Sequence, residues 1–158
     1  MWQHPLTRRP ISGRCRGGKR SAHGAAGGVG GRASFLAGSG NTVTDRLNNF
    51  KMHEINLQNG AVLEKGCVYV VPLMESLALP ESINAVANAK SSTGRLDLFT
   101  RCITDHGIEF DRIEKGYKGP LYAEISPRSF SVLVKPGMRL NQIRFREGKS
   151  VLSDDELS

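Results

Sequence analysis

The first 43 residues contain no aspartate or glutamate, although they hold seven basic side chains. All 15 acidic residues follow Val43, and the 15 remaining Lys and Arg balance them. The formal net charge of +7 therefore belongs to the N-terminal segment. Residues 1 to 31 also lack aromatic side chains for base stacking apart from Trp2, which disfavours nucleic acid as a partner.

Cysteine is scarce, and long apolar runs are missing. Cys15, Cys67 and Cys102 form no CxxC pair or other metal-ligand spacing, and their odd number favours a reduced, cytoplasmic setting. No apolar run reaches the roughly 18 to 20 residues that span a bilayer, and the N-terminus lacks the apolar core of a signal peptide. We expect a soluble chain with no membrane partner. A mitochondrial leader is disfavoured because the repeated glycines would break its helix.

The 158 residues allow one domain of ordinary size and a tail. Residues 1–31 are rich in glycine and arginine and poor in apolar periodicity, so we expect them to be disordered. Residues 32–150 are expected to form the domain. Residues 151–158 resemble the start of a helix, a serine followed by acidic residues, which we interpret as a truncated C-terminal segment.

Short apolar runs separated by glycine and proline predict strands. The clearest is Cys67–Val71, which is β-branched, aromatic and bounded by Gly66 and Pro72. Further strands are predicted at 33–36, 83–86, 96–99, 121–125, 130–134 and 140–145, with a helical turn at 43–50. Many short strands at this spacing predict a mainly β fold, a barrel or jelly-roll-like sandwich with little helix.

The segment Lys90-Ser91-Ser92-Thr93-Gly94-Arg95 is the most informative part of the sequence. Two cations and three hydroxyls beside a helix or turn start suit phosphate, with Ser91 as the cap and backbone N–H groups and hydroxyls as donors. Taken alone, the pattern fits ordinary turn chemistry as well.

Three motifs in order resemble those of dCTP deaminases. Residues 90–95 resemble the K-S-S-x-G-R phosphate signature, residues 116–124 resemble the G-[FY]-x-G hairpin and the strand that carries the catalytic glutamate, and residues 136–145 resemble the P-G-M and G-Q-L-x-F closing strand. The resemblance covers about 32–148 and is nearest to the longer alphaproteobacterial form. It implies a dUTPase-like distorted barrel or jelly-roll.

The resemblance implies hydrolytic deamination of dCTP to dUTP and ammonia, in the biosynthesis of dUTP and dTTP. Glu124 would act as the general base on the water that attacks C4 of cytosine, and Ser91 and Arg95 would hold the water and the triphosphate. The further substrate-binding residues that it implies are Lys90, Ser92, Thr93, Gly94, Glu114, Tyr122, Ala123 and Gln142. The alternative interpretation of Glu124 is a surface carboxylate on a strand.

No protein-held metal is expected. The H-x-E and P-C-x-x-C signatures of zinc cytidine deaminases are missing from the sequence, and its four histidines are scattered. The resemblance implies Mg²⁺ carried on the substrate triphosphate instead. It also implies a homotrimer with shared sites, in which Ser91 and Glu124 face each other across an interface.

The sequence departs from the family in several places. Glu114 stands where the family has aspartate, and Asp111 is the alternative after a local shift. The segment from Arg95 to Glu114 is longer than in short members. We find no P-x-S-x-D-L-R-L-G strand upstream of Arg32. We therefore hypothesise that residues 1–31 replace authentic sequence. The missing strand would leave one edge of a sheet without a partner. Without the family's lid and second domain, we expect a partial copy of the enzyme.

Other functions stay open at this point. A dUTPase, or a bifunctional enzyme that releases dUMP, would share the fold and the substrate shape, with dUTP or dTTP as further ligands. The dUTPase hallmarks, a Ser-Gly phosphate motif, an intact hairpin aspartate and a glycine-rich C-terminal loop, are not found. An inactive fragment, or a nucleic-acid binder that uses the basic tail, is the third alternative.

Overall fold

A computed structural model describes residues 2–3, 27–31, 36–50 and 53–147. Within these ranges the chain forms eleven short strands and two helices. In chain order they are β1 Trp2–Gln3, β2 Gly27–Gly31, α1 Val43–Phe50, β3 His53–Asn56, β4 Ala61–Leu63, β5 Val68–Ala78, β6 Ile83–Ala89, α2 Ser91–Arg95, β7 Leu98–Thr104, β8 Arg112–Ile113, β9 Lys118–Pro127, β10 Val132–Val134 and β11 Asn141–Glu147.

The strands form three antiparallel sheets. The largest has the order β3-β2-β5-β9-β7, a four-stranded sheet has the order β1-β11-β6-β8, and β10 pairs with β4. These sheets confirm the expected mainly β class with little helix. No helix of the described residues is long and apolar enough to cross a membrane.

Side chains of β7 and β9 alternate between the core and the outer face of the five-stranded sheet. Leu98, Cys102 and Ile125 point inward and are almost fully buried. Ile103 and Tyr122 lie on the opposite face, where they form a separate apolar cluster with Val43 at the start of α1. The outer face is therefore partly covered, and it is the face on which Glu124 and its neighbours lie.

The structure contains the predicted helix and most of the predicted strands, with shifted bounds. The helix at 43–50 is confirmed, whereas the strand predicted at 96–99 runs from Leu98 to Thr104. The shift has a local cause: Asp97 takes a left-handed conformation with φ 49°, so the chain turns there after α2. The strand predicted at 33–36 and the segment 151–158 lie outside the described residues, apart from Leu36.

Strand β2 lies before Arg32, where we expected the domain to begin. Its residues, 27–31, pair with both β3 and β5, so β5 has a partner on each side. Backbone pairing needs no side chains, and a glycine-rich segment therefore fills a strand position. Glycine is also required at Gly28, because an added Cβ would lie 2.6 Å from Cγ1 of Val71. The rest of 1–26, apart from β1, lies outside the described residues.

Neighbouring residues of β4 allow a test of the core. Leu63 is fully buried and Val62 is 58% exposed. We expect Leu63→Ala to lower the free energy of unfolding by roughly 2–5 kcal/mol, because it leaves a cavity between the sheets. Val62→Ala should change it by less than about 0.5 kcal/mol. Urea unfolding of both variants measures the difference, and equal losses would contradict this arrangement of the core.

Candidate functional site

The segment from Lys90 to Arg95 turns away from the end of β6 and forms the short helix α2. Lys90 rather than Ser91 occupies the N-cap position, and no side chain caps the helix. The expected Ser91 cap is therefore wrong, because Ser91 is already the first helical residue. Instead, the backbone N–H groups of Thr93 and Gly94 bond to the carbonyl of Lys90, at 2.9 and 3.1 Å.

One buried carbonyl anchors this segment to the closing strand. The carbonyl of Leu140, just before β11, accepts from the backbone N–H of Lys90 at 2.9 Å and from the hydroxyl of Thr93 at 3.2 Å. Thr93 is buried, whereas Ser91, Ser92 and Arg95 are exposed. The Thr93 hydroxyl thus holds the helix in place, and the exposed serine hydroxyls and the guanidinium group remain accessible from solvent.

Glu124 lies in the middle of β9, between Val70 of β5 and Arg101 of β7. Its side chain is only 1% exposed. The Arg101 guanidinium binds one of its oxygens twice: Nη2 donates to Oε1 at 2.6 Å and Nε donates to the same atom at 3.1 Å. Glu124 is therefore a buried, ion-paired carboxylate and not the surface carboxylate of the alternative interpretation.

Aromatic rings enclose Arg101 on the outer face of the sheet. Its guanidinium carbon lies 3.5 Å from the ring centre of Phe110 and 4.9 Å from that of Phe99. Stacking and the two hydrogen bonds to Glu124 fix the guanidinium plane. The Arg101 side chain is 25% exposed, so it lies between Glu124 and solvent.

Asp111 ties the segment between β7 and β8 to two strands. Its Oδ1 accepts from the backbone N–H of Cys102 at 2.7 Å, its own N–H donates to the carbonyl of Cys102 at 2.9 Å, and its carbonyl accepts from Ala87 at 2.7 Å. Burial raises the pKa of Asp111, and the Cys102 N–H and the Arg101 charge oppose this shift. Burial also raises the pKa of the Cys102 thiol, to about 12.

An open cavity of about 440 Å³ lies beside the edge strand β7. Asn88, Gly94, Phe99, Arg101, Asp111 and Arg128 are among its lining residues. Gly94 near the end of α2 and Arg101 of the ion pair therefore line the same cavity. Of the described residues that the sequence predicted for the site, Gly94 lines this cavity, and so does Asp111, the alternative to Glu114; neither Ser91 nor Glu124 does.

The other predicted residues lie in different surroundings. Gln142 pairs with Asn88, a cavity residue. Tyr122 is buried beneath α1, where its hydroxyl shares a hydrogen bond with Thr44 at 3.3 Å. Ala123 is fully buried in the core between the sheets.

The two acidic candidates in the hairpin segment are separated. Glu114 is exposed in the turn after β8, where its carboxylate contacts Arg112 at 3.1 Å. Asp111 lines the cavity. The structure thus favours Asp111, the alternative that we considered after a local shift, as the acidic residue next to the candidate site.

Sequence reasoning missed Arg101 and Phe110. The signal for Arg101 was a charge in the middle of an otherwise β-branched and apolar strand, Leu98–Thr104. Its partner could not be read from the sequence, because the register between β7 and β9 decides that Arg101 lies opposite Glu124.

No group of three or more His, Cys, Asp or Glu side chains that could hold a metal ion occurs within 2–3, 27–31, 36–50 and 53–147. Mg²⁺ on the substrate therefore stays a prediction.

Comparisons with known proteins agree with the motifs. Residues 28–149 match the family model of the 2'-deoxycytidine 5'-triphosphate deaminase N-terminal domain. The chain is also similar to the crystal structure of 2'-deoxycytidine 5'-triphosphate deaminase from Agrobacterium tumefaciens, with 57% sequence identity and a TM-score of 0.76. That match covers 84% of this chain and 40% of the Agrobacterium chain, so the present chain spans less than half the length of this relative. A search of curated proteins gave no match.

The raised pKa of Asp111 predicts a pH-dependent stability. Such a carboxyl keeps its proton to higher pH in the folded chain than in the unfolded chain, so its ionisation destabilises the fold as pH rises above about 4. Asp111→Asn keeps the acceptor oxygen for Cys102 but cannot ionise. We expect the stability of this variant relative to the unchanged protein to increase from pH 4 to pH 7.

Urea unfolding at several pH values measures this difference, with the exposed Glu147→Gln as the control. A relative stability of Asp111→Asn that stays flat or decreases with pH would contradict the burial of this carboxyl.

Proposed function

The chain belongs to the family of the 2'-deoxycytidine 5'-triphosphate deaminase N-terminal domain, and we propose that the protein converts dCTP and water to dUTP and ammonia. The observation that carries the proposal is the Glu124 carboxylate, held at 2.6 Å by Arg101 on a strand that is paired on both sides. A rigidly held carboxylate is what a general base needs, since proton transfer depends on a fixed distance to the reacting water.

In the proposed reaction Glu124 removes a proton from water while the oxygen adds to C4 of the cytosine ring. The carboxyl then returns this proton to the exocyclic nitrogen, the C4–N bond breaks, and ammonia leaves. The second water proton moves from the retained oxygen to N3, so that this oxygen becomes the C4 carbonyl of uracil and N3 carries a hydrogen. The base is unchanged at the end of the cycle, and no oxidant, reductant or further co-reactant is required.

The triphosphate is assigned to the segment 90–95. The exposed Ser91 and Ser92 hydroxyls and the Arg95 guanidinium suit phosphate oxygens, and Lys90 adds a second cation. Mg²⁺ enters this scheme bound to the substrate triphosphate, where most of its ligands are phosphate and water oxygens. Thr93 has a supporting role, because its hydroxyl is engaged by Leu140.

A homotrimer with shared sites is part of the proposal. Ser91 is exposed on α2 and Glu124 is buried on β9, and the cavity near both is lined by neither. A second subunit that brings its own α2 to the outer face of the five-stranded sheet would complete the site. A cytoplasmic setting is proposed as well, supported by the free thiols of Cys67 and Cys102.

The first experiment incubates the whole chain with dCTP and Mg²⁺ and measures ammonia and nucleotide products. We expect the unchanged protein to release ammonia and dUTP, and Glu124→Gln to lose roughly 100-fold or more of the rate because the base is gone. The exposed Glu147→Gln is the matched control and should keep its activity.

The other readings have distinct outcomes in this assay. Production of dUMP would indicate a bifunctional enzyme, and dUMP from dUTP without ammonia release from dCTP would indicate a dUTPase. No activity from the folded chain would contradict the proposal and favour an inactive partial copy. Salt-dependent DNA binding that is lost on deletion of residues 1–31 would favour the nucleic-acid binder.

Mixed oligomers test the shared site. Ser91→Ala and Glu124→Gln should each be inactive alone, since each removes one half of every site. When the two are co-expressed, random assembly places an intact Ser91 opposite an intact Glu124 in about one site of four. We therefore expect co-purified mixtures to recover up to about a quarter of the activity. Mixed oligomers that recover none would show that one subunit supplies both residues.

A further inference from the structure

We propose that Arg101 is a positioning residue that orients Glu124 for proton transfer, and that the segment 105–111 holds Arg101 in place through Phe110. This inference rests on the proposed function, because it describes how the proposed base is held. It concerns residues that lie outside the motifs recognised in the sequence. The basis is the contact set around one guanidinium group, which touches Glu124, Phe110 and Phe99.

Two hydrogen bonds from Arg101 reach the same oxygen of the Glu124 carboxylate. Both Nε and Nη2 of Arg101 donate to Oε1 of Glu124, at 3.1 and 2.6 Å. An arginine in a simple bidentate pair would bind one oxygen with each nitrogen. Here Nε and Nη2 converge on the single atom Oε1, which restricts the orientation of the Glu124 carboxylate group. The lost rotation about the carboxylate bond is a source of preorganisation.

A contribution to stability alone does not explain the Arg101–Glu124 ion pair well. Replacing a buried ion pair by apolar side chains of similar volume is often neutral or stabilising, so ion pairs are poor evidence of a purely structural role. Arg101 is also 25% exposed and lines the cavity. Arg101 therefore binds the buried carboxylate on one side and lines, on the other, the cavity proposed for the nucleotide base.

The segment 105–111 is fixed at both ends and presents Phe110 to Arg101. At its start, Oδ1 of Asp105 accepts from the N–H of Val43 at 2.8 Å, and the Asp105 N–H donates to the Tyr117 hydroxyl at 3.2 Å. At its end, Asp111 is bonded to Cys102 in both directions. Phe110 lies directly before this second anchor and stacks 3.5 Å from the guanidinium carbon.

The kinetic test compares Arg101→Lys with Arg101→Met. Met removes the charge and both donors, so we expect kcat to fall roughly 100-fold while KM changes less than about threefold. Arg101→Lys keeps the positive charge but lacks the planar pair of donors, so its kcat should lie between those of Arg101→Met and the unchanged protein. Arg146→Met, at an exposed position on β11, is the matched control. A rise in KM with kcat unchanged, or equal rates in all variants, would overturn the positioning role.

A second pair of variants tests whether Phe110 holds Arg101 in place, and neither variant changes a charge. Phe110→Ala should lower kcat by about tenfold and leave KM nearly unchanged, because Arg101 loses its closest ring. Phe130→Ala, at a 51% exposed phenylalanine, is the control and should leave both constants unchanged. If Phe110→Ala has the kcat of the unchanged protein, the segment does not act through Arg101.

Thermal unfolding separates this inference from the proposed function, because it needs no activity. Arg101→Met removes the Arg101 charge and its two hydrogen bonds from a buried carboxylate and should lower Tm by about 10 °C. The same substitution in the Glu124→Gln background should lower it by less than half as much, since the charge is gone. Additive shifts would overturn the inference. Coupled shifts in a chain that does not deaminate dCTP would support the pairing and reject only the proposed function.

Discussion

A carboxylate that is removed from water needs a cation and hydrogen-bond donors, and this requirement organises the outer face of the five-stranded sheet. Glu124 is 1% exposed, and Arg101 supplies both the charge and the donors. The effective cost of burying either ion alone is several kcal/mol, so neither residue can be placed independently of the other. The register of β7 against β9 puts them directly opposite each other.

Several local features depend on that pair. Arg101 is long enough to reach the cavity beside β7, and its guanidinium is stacked on Phe110. Phe110 is held there because Asp111 folds back onto Cys102. On the other side of the cavity, α2 is fixed by the Leu140 carbonyl, which leaves its serine hydroxyls accessible. The proposed base and the segment proposed to bind the triphosphate are thus supported by separate strands.

Much of this fold could be predicted from the sequence, because β-branched runs between glycine and proline mark strands reliably. The run Val68–Val71 between Gly66 and Pro72, which lies in β5, is an example, and the helix predicted at 43–50 is also observed. Strand β2 could not be predicted, since Gly27–Gly31 has no side-chain pattern and is placed by backbone pairing alone. The same limit applies to β8, which has two residues.

The candidate site divides in a similar way. The motifs predict Glu124 and the segment 90–95 as site residues because their residue types and order are specific. They gave no indication of Arg101 or Phe110, whose roles arise from strand register and from a loop with no counterpart in the recognised motifs. Thr93 and Ala123 were predicted as substrate contacts from their position in a motif. Both stay predictions: the Thr93 hydroxyl donates to the Leu140 carbonyl, and the Ala123 side chain lies in the core.

The most direct test of the account is a crystal structure of the Glu124→Gln variant with dCTP and Mg²⁺. The account predicts that C4 of the cytosine ring lies within about 4 Å of a water held by the residue-124 side chain, with the triphosphate against residues 90–95. It also predicts that Arg101 contacts the same side chain in the complex. A nucleotide bound with its base away from residue 124, or with its phosphates away from α2, would contradict the account.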